Sequence, residues 1–245
     1  MAITNEAATG KPTIVLVHGA FAESASWNGV ISALLADGFP VLAVANPLRG
    51  VAYDANYLRA VLAGITGDIV CVGHSYGGFV TSNGATDNPQ VKALVFVGAF
   101  APEEGESAAE LSAKYEGGSL GETLEAVELP EGGPDLYIRQ DAYWQQFAAD
   151  SAEQDAAVMA VTQRPITGAA LNEPSAKPAW HSLPSWFLFG SADKNIPVAV
   201  HRFMAERAGS QRTVELEGGS HTVAIPEAPV LVDLIREAVN AVTQG

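Results

Sequence analysis

The chain has 245 residues, 48% of them hydrophobic and 17% charged, and a formal net charge of −15. That length supports one large domain with a full core or two small ones, and the composition is that of a folded globular protein. The excess of negative charge argues against nucleic acid or an anionic membrane surface as partner, because phosphate groups would be repelled, and it disfavours anionic substrates.

Residues 1–11 are small and polar, with neither the basic start nor the apolar stretch of a signal peptide, and are expected to form a loose tail. Thr13-Ile14-Val15-Leu16-Val17 is a continuous apolar, β-branched run, the pattern of a strand buried on both faces of a parallel sheet. From Ser26 to Ala36 apolar residues recur at helical spacing, with Ser24 or Ser26 as cap and Asp37-Gly38 as stop. Pro40–Val44 reads as the second strand. Asp54–Leu62 reads as the second helix, with Tyr57, Leu58, Val61 and Leu62 on its inner face.

The third strand, Asp68–Val72, contains Cys71, the chain's one cysteine. A single cysteine permits no internal disulfide and no cysteine-built metal cluster, and here it reads as a small buried hydrophobe. A helix over Gly77–Thr86, stopped by Asn88-Pro89, and a fourth strand, Val91–Val97, follow. After a long interruption come a strand at Ser185–Phe189, a helix at Val198–Ala208, a strand at Thr213–Leu216 and a helix at Glu227–Val242. Strand and helix alternating at this spacing imply right-handed crossovers and an α/β fold, a doubly wound parallel sheet of six strands. The expected strand order is second, first, third, fourth, fifth, sixth.

The interruption, residues 101–183, is too long for a plain loop and too aromatic for disorder. It reads as a mainly helical cap inserted after the fourth strand, with helical pieces at Asp141–Phe147 and Glu153–Val161; residues 12–100 and 184–245 form the core. Residues 101–180 carry 15 acidic against 4 basic side chains, a net of −11. Most of the negative charge therefore sits on the cap.

Between the third strand and its helix stands Gly73-His74-Ser75-Tyr76-Gly77-Gly78. This is G-x-S-x-G in the strand–turn–helix setting where such a turn lifts a serine above the sheet edge, with Gly73 and Gly77 leaving room for it. A serine hydroxyl needs a base, itself oriented by a carboxylate. Of the five histidines, His74 reads as packing beneath the turn and His18 as a brace for the loop after the first strand. His201 lies inside a helix, where a surface or half-buried position is the default, and His181 lies at the return from the cap, where it could line the site. His221, in the glycine-rich loop Glu217-Gly218-Gly219-Ser220-His221, follows the last strand at the edge where open α/β sheets bind ligands. Asp193, just beyond the fifth strand, is the favoured acid, since Gly98-Ala99-Phe100 after the fourth strand has no carboxylate. Nucleophile, acid and base thus run Ser75, Asp193, His221. The oxyanion donors expected are the amides of Tyr76, at a helix start, and of Ala20. Phe21, the Tyr76 ring and Trp144 suggest an apolar substrate pocket.

Val15-Leu16-Val17-His18-Gly19-Ala20-Phe21 with Ser26-Trp27, the serine turn, Val95-Phe96-Val97-Gly98-Ala99-Phe100-Ala101-Pro102, Asp193-Lys194-Asn195-Ile196-Pro197 and Gly218-Gly219-Ser220-His221 together resemble the α/β-hydrolases of the plant methylesterase and hydroxynitrile-lyase type and their bacterial esterase relatives. The resemblance implies a serine esterase working through an acyl-enzyme on a small uncharged carboxylic ester, such as an aryl ester or a lactone. No cofactor or metal and no membrane or nucleic-acid partner are expected, the expected location is cytoplasmic, and a homodimer is allowed. The lyases of this type carry a lysine after the base and a threonine in the oxyanion loop; here Thr222 and Gly19-Ala20 stand there, which favours the esterase branch. A small-molecule receptor on the same scaffold is the reading from another class.

Overall fold

A computed structural model describes residues 10–243. The expected tail lies outside the described residues except for Gly10 and Lys11. Strand β1 (Thr13–Val17) is buried along its whole length, as a strand covered on both faces must be. Helix α1 (Asn28–Ala36) is preceded by a tight 3-10 turn, Ser24–Trp27. Neither expected serine caps it: Ser26 Oγ donates to Glu23 O at 2.6 Å and Ser24 Oγ to Val44 O at 3.3 Å. One hydroxyl is used within the turn that feeds the helix and the other ties that turn to Val44.

After β2 (Val41–Val44), helix α2 (Val51–Ala63) begins a turn earlier than the sequence suggests. Asp54 does not start the helix; it folds inward and accepts the Arg49 amide at 3.1 Å, closing the first turn. The buried face is Val51, Asp54, Ala55, Leu58 and Leu62, and Tyr57, expected inside, is 42% exposed. Strand β3 (Ile69–His74) runs into helix α3 (Gly77–Gly84), and β4 (Val91–Val97) follows.

The segment after β4 contains α4 (Ala108–Ser112), β5 (Leu124–Val127), β6 (Asp135–Ile138), α5 (Gln140–Phe147), α6 (Glu153–Thr162), β7 (Ile166–Thr167) and α7 (Gly168–Asn172). It is mainly helical, but β5, β6 and β7 also pair as an antiparallel sheet that the sequence did not announce. Among the contacts that tie it to the core, Arg49 pairs with Asp135 at 2.7 Å, and the Glu173 carboxylate accepts the Val51 amide at 2.7 Å at the start of α2. The core resumes with β8 (Ser185–Gly190), α8 (Val198–Arg207), β9 (Arg212–Leu216) and α9 (Ala228–Thr243).

The main sheet is parallel, in the order β2-β1-β3-β4-β8-β9. This is the expected order, and it places the turns after β1 and β3 side by side while their connections leave in opposite directions. Apolar side chains pack on both faces. Trp27, Val30, Leu34, Leu231 and Ile235 cover one, with α1 and α9; Leu58, Leu62, Phe79 and Met204 cover the other, with α2, α3 and α8. Among the described residues no helix is long and apolar enough to cross a membrane.

Candidate active site

At the end of β3 the chain turns so sharply that Ser75 adopts φ 53°, a left-handed conformation unfavourable for any residue with a Cβ. Its carbonyl accepts the Gly78 amide at 2.9 Å and the Phe100 amide at 3.2 Å, and its own amide donates to Val97 O at 3.3 Å. Glycine is required around it by contact. A Cβ on Gly77 would lie 2.3 Å from Val17 O, one on Gly73 2.7 Å from Gly77 O, and one on Gly19 2.6 Å from the Ser75 Cβ.

The loops after β8 and β9 bring Asp193 and His221 to the same edge. Asp193 Oδ1 accepts the Asn195 amide at 2.8 Å and the Ile196 amide at 3.0 Å; Oδ2 faces His221 Nδ1 at 2.7 Å. Burial pushes the Asp193 carboxyl up. The charge of His221 and hydrogen bonds from His201 and His221 outweigh it and hold the group below the usual carboxylate range. A carboxylate only accepts, so His221 Nδ1 carries hydrogen, and in the neutral form of the ring Nε2 is the acceptor. That Nε2 is buried and makes no hydrogen bond among the described residues. Gly98 makes room for this pair, since a Cβ there would stand 3.0 Å from His221 O.

His74 lies beneath the turn, fully surrounded. Its Nε2 donates to His221 O at 3.0 Å, and burial, helped by the neighbouring His221, lowers its pKa to about 3. His18 accepts the Asn46 amide on Nε2 at 3.1 Å and donates from Nδ1 to Gly19 O at 2.9 Å, so its partners fix a neutral tautomer; burial lowers its pKa to about 4. The loop it braces leaves the Ala20 amide without an acceptor among the described residues, and the Tyr76 amide is equally free. The adjacent Phe21 amide instead donates to Arg164 O at 2.9 Å.

Ser75 and His221 border a cavity of about 350 Å³ together with Ala20, Phe21 and Tyr76. Phe100, Leu120, Leu124, Leu171 and Ile196 supply much of the remaining wall, and no charged side chain lines it. The Tyr76 hydroxyl is anchored away from the reaction edge by donating to the buried Asp54 Oδ2 at 3.0 Å. Trp144, expected in the pocket, does not border it; its indole donates to Ser151 O at 3.1 Å. Phe147, three residues further along the same helix, is buried beside the site, and its ring lies 4.9 Å from that of His221. Which of two aromatic residues three apart faces inward depends on how α5 docks, and periodicity does not decide that. His181 also falls outside the site: it pairs with Glu103 at 2.7 Å on the surface.

His201 departs furthest from expectation. It is wholly buried, and its Nε2 lies 3.0 Å from Asp193 Oδ2. Helix α8 begins directly after the acid loop, so its first turn faces back onto that loop. The eight-residue spacing from Asp193 is the only hint the sequence carries.

A parallel sheet in this order, with a serine in a left-handed turn after β3 and an Asp–His pair from the last two sheet loops, is the architecture of an α/β hydrolase. The chain belongs to the alpha/beta hydrolase family, whose sequence profile matches residues 14–233. It is 25% identical over 257 aligned positions to the alpha/beta hydrolase nvfD of Aspergillus novofumigatus, covering 93% of this chain and 96% of that protein. It is also 25% identical to salicylic acid-binding protein 2 of Nicotiana tabacum, covering 87% and 91%. In three dimensions it superposes on polyneuridine aldehyde esterase with a TM-score of 0.79 at 18% identity, over 93% of this chain and 98% of the other. Its relatives in sequence thus include a hydrolase, and it shares its fold with an esterase.

Proposed function

We propose that the chain is a serine esterase for uncharged carboxylic esters, with Ser75 as nucleophile, His221 as general base and Asp193 as its orienting acid. The observation that carries this reading is His221 Nε2, buried and without a hydrogen-bond partner among the described residues, on a ring that borders with Ser75 a cavity free of charged side chains.

On attack, the Ser75 oxygen bonds to the ester carbon and its proton passes to His221 Nε2. The carbonyl oxygen becomes an oxyanion, for which the free amides of Ala20 and Tyr76 are the donors. The imidazolium that forms is stabilised through Nδ1 by Asp193. As the tetrahedral species collapses, His221 gives the proton to the leaving alcohol and the acyl group remains on Ser75. Water then attacks with His221 again as base, and acid and free serine are released. Residues 101–183 act in this reading as a cap that walls the acyl side, with Phe21 and Tyr76 as pocket residues. A Cβ at Gly19 would lie 3.2 Å from Ser75 Oγ, so a threonine there does not suit this arrangement, which favours ester hydrolysis over the lyase chemistry.

Short-chain nitrophenyl esters, assayed with the wild type and Ser75→Ala, test the proposal. Wild-type turnover with loss of about 10³-fold or more in the variant is expected. Equal rates would refute it.

A further inference from the structure

We infer that His201 is a positioning residue: its Nε2–H shares Asp193 Oδ2 with His221 and thereby sets how strongly Asp193 holds a proton on His221. The inference rests on the catalytic roles proposed above, though its test does not.

The geometry leaves one arrangement. Asp193 is buried and surrounded by donors, with the Asn195 and Ile196 amides on Oδ1 and His221 Nδ1, at 2.7 Å, together with His201 Nε2, at 3.0 Å, on Oδ2. An ionised carboxylate offers about four acceptor sites, and here all are taken. Both ring nitrogens on Oδ2 must therefore carry hydrogen. The His201 ring is held in plane by Phe189 of β8, with centroids 4.8 Å apart and planes 8° from parallel. Its Nδ1 is buried with no partner among the described residues, so the Asp193 bond is the ring's one polar attachment.

A donor that stabilises a carboxylate also dilutes the charge that the carboxylate presents to its other partner. With His201 in place Asp193 orients His221 yet holds its proton less tightly, which keeps His221 available as a base at lower pH. The sign is the same whether the His201 ring is neutral or charged, since in both forms Nε2 donates. The other titratable groups near this pair are His74, whose ring packs 4.9 Å from that of His221, and His18 beyond it. Glu215 of β9 also interacts electrostatically with His201 and is itself engaged by Arg202 at 2.8 Å.

The test is an NMR titration of protein carrying ¹⁵N-labelled histidine, with the His221 signals assigned by loss in His221→Gln. It uses His201→Phe and His201→Leu, which remove the donor, and His201→Gln, whose amide restores one. In the wild type the His201 Nε2 should be found protonated; a spectrum with the proton on Nδ1 alone would overturn the inference before any variant is made. Removing the donor should move the His221 midpoint upward by about half a pH unit or more, and Gln should return it toward the wild-type value. The acid limb of kcat/KM should move with it. A residue that only fills space would lower the melting temperature without shifting the midpoint, so coincident midpoints in all four proteins refute the role. Should Ser75→Ala hydrolyse esters as fast as wild type, the esterase reading fails, and the His221 titration still decides the part played by His201.

Discussion

Gly19→Ala isolates the contact between the oxyanion loop and the serine turn. The added methyl carbon would stand 2.6 Å from Ser75 Cβ and 2.8 Å from His74 O, where ordinary contacts begin near 3.4 Å. One of the two loops must therefore yield by roughly 0.8 Å, the difference between 3.4 and 2.6 Å. Neither neighbour is the free end of a flexible side chain: His74 O is backbone, and Ser75 is locked by hydrogen bonds to Val97, Gly78 and Phe100. The displacement falls on Ser75, the proposed nucleophile, and on the amide of Ala20, and a misplacement near 1 Å typically costs about 100-fold in rate, or about 2.7 kcal/mol of transition-state stabilisation. The assay is kcat/KM on a nitrophenyl ester beside a urea unfolding curve, with Gly168→Ala, where the nearest side-chain atom would be 3.8 Å away, as control. A Gly19→Ala enzyme within about threefold of wild type would refute the proposed use of this loop.

Acid should destabilise the fold through its buried histidines. His18 and His74 take up protons only near about 4 and about 3 in the folded protein, against 6.5 in the unfolded chain, so stability is highest above 6.5 and falls as pH drops toward the folded values. Between pH 7 and pH 5 each contributes a loss of about 2 kcal/mol, and His18→Gln should remove about half of the combined loss in urea titrations at the two pH values; an unchanged loss would rule this origin out. Asp150→Ala should lower kcat by about tenfold with a smaller change in KM, because it frees the residue before His221; steady-state kinetics check this, and a variant altered only in KM would contradict it.

The sheet was legible because buried parallel strands read as uninterrupted apolar runs: Thr13–Val17 and Val91–Val97 match their strands end for end. The loops that follow β3, β8 and β9 could likewise be placed at one edge once the strand order was known. The small sheet in the insertion was not legible. Leu124–Val127 is largely exposed and β7 has only two residues, so neither carries a hydrophobic period. Asp54 and His201 were misjudged for one shared reason. Each is a polar residue in the first turn of a helix, where sequence suggests solvent or a cap, and each points inward to a partner outside that helix: Asp54 to the Arg49 amide and the Tyr76 hydroxyl, His201 to the Asp193 carboxylate. Such meetings are fixed by tertiary structure, and helical periodicity has no access to them.

The segment between β4 and β8 does more than line the cavity. Asp150, after α5, accepts the Ser220 amide at 2.7 Å and also the Ser220 hydroxyl, and Phe147 O accepts the Thr222 amide at 3.2 Å, so the residues on both sides of His221 are gripped from above. The same helix reaches the oxyanion loop, where the Tyr143 hydroxyl donates to Phe21 O at 2.7 Å. The Phe147 ring packs against both Phe21 and His221. A rigid swing of α5 away from the core would therefore dismantle the loops that carry His221 and Phe21, the proposed base and oxyanion loops, together. Helix α5 belongs to the construction of the site as much as the sheet does, and substitutions that loosen its docking should reduce turnover even where they leave the cavity wall untouched.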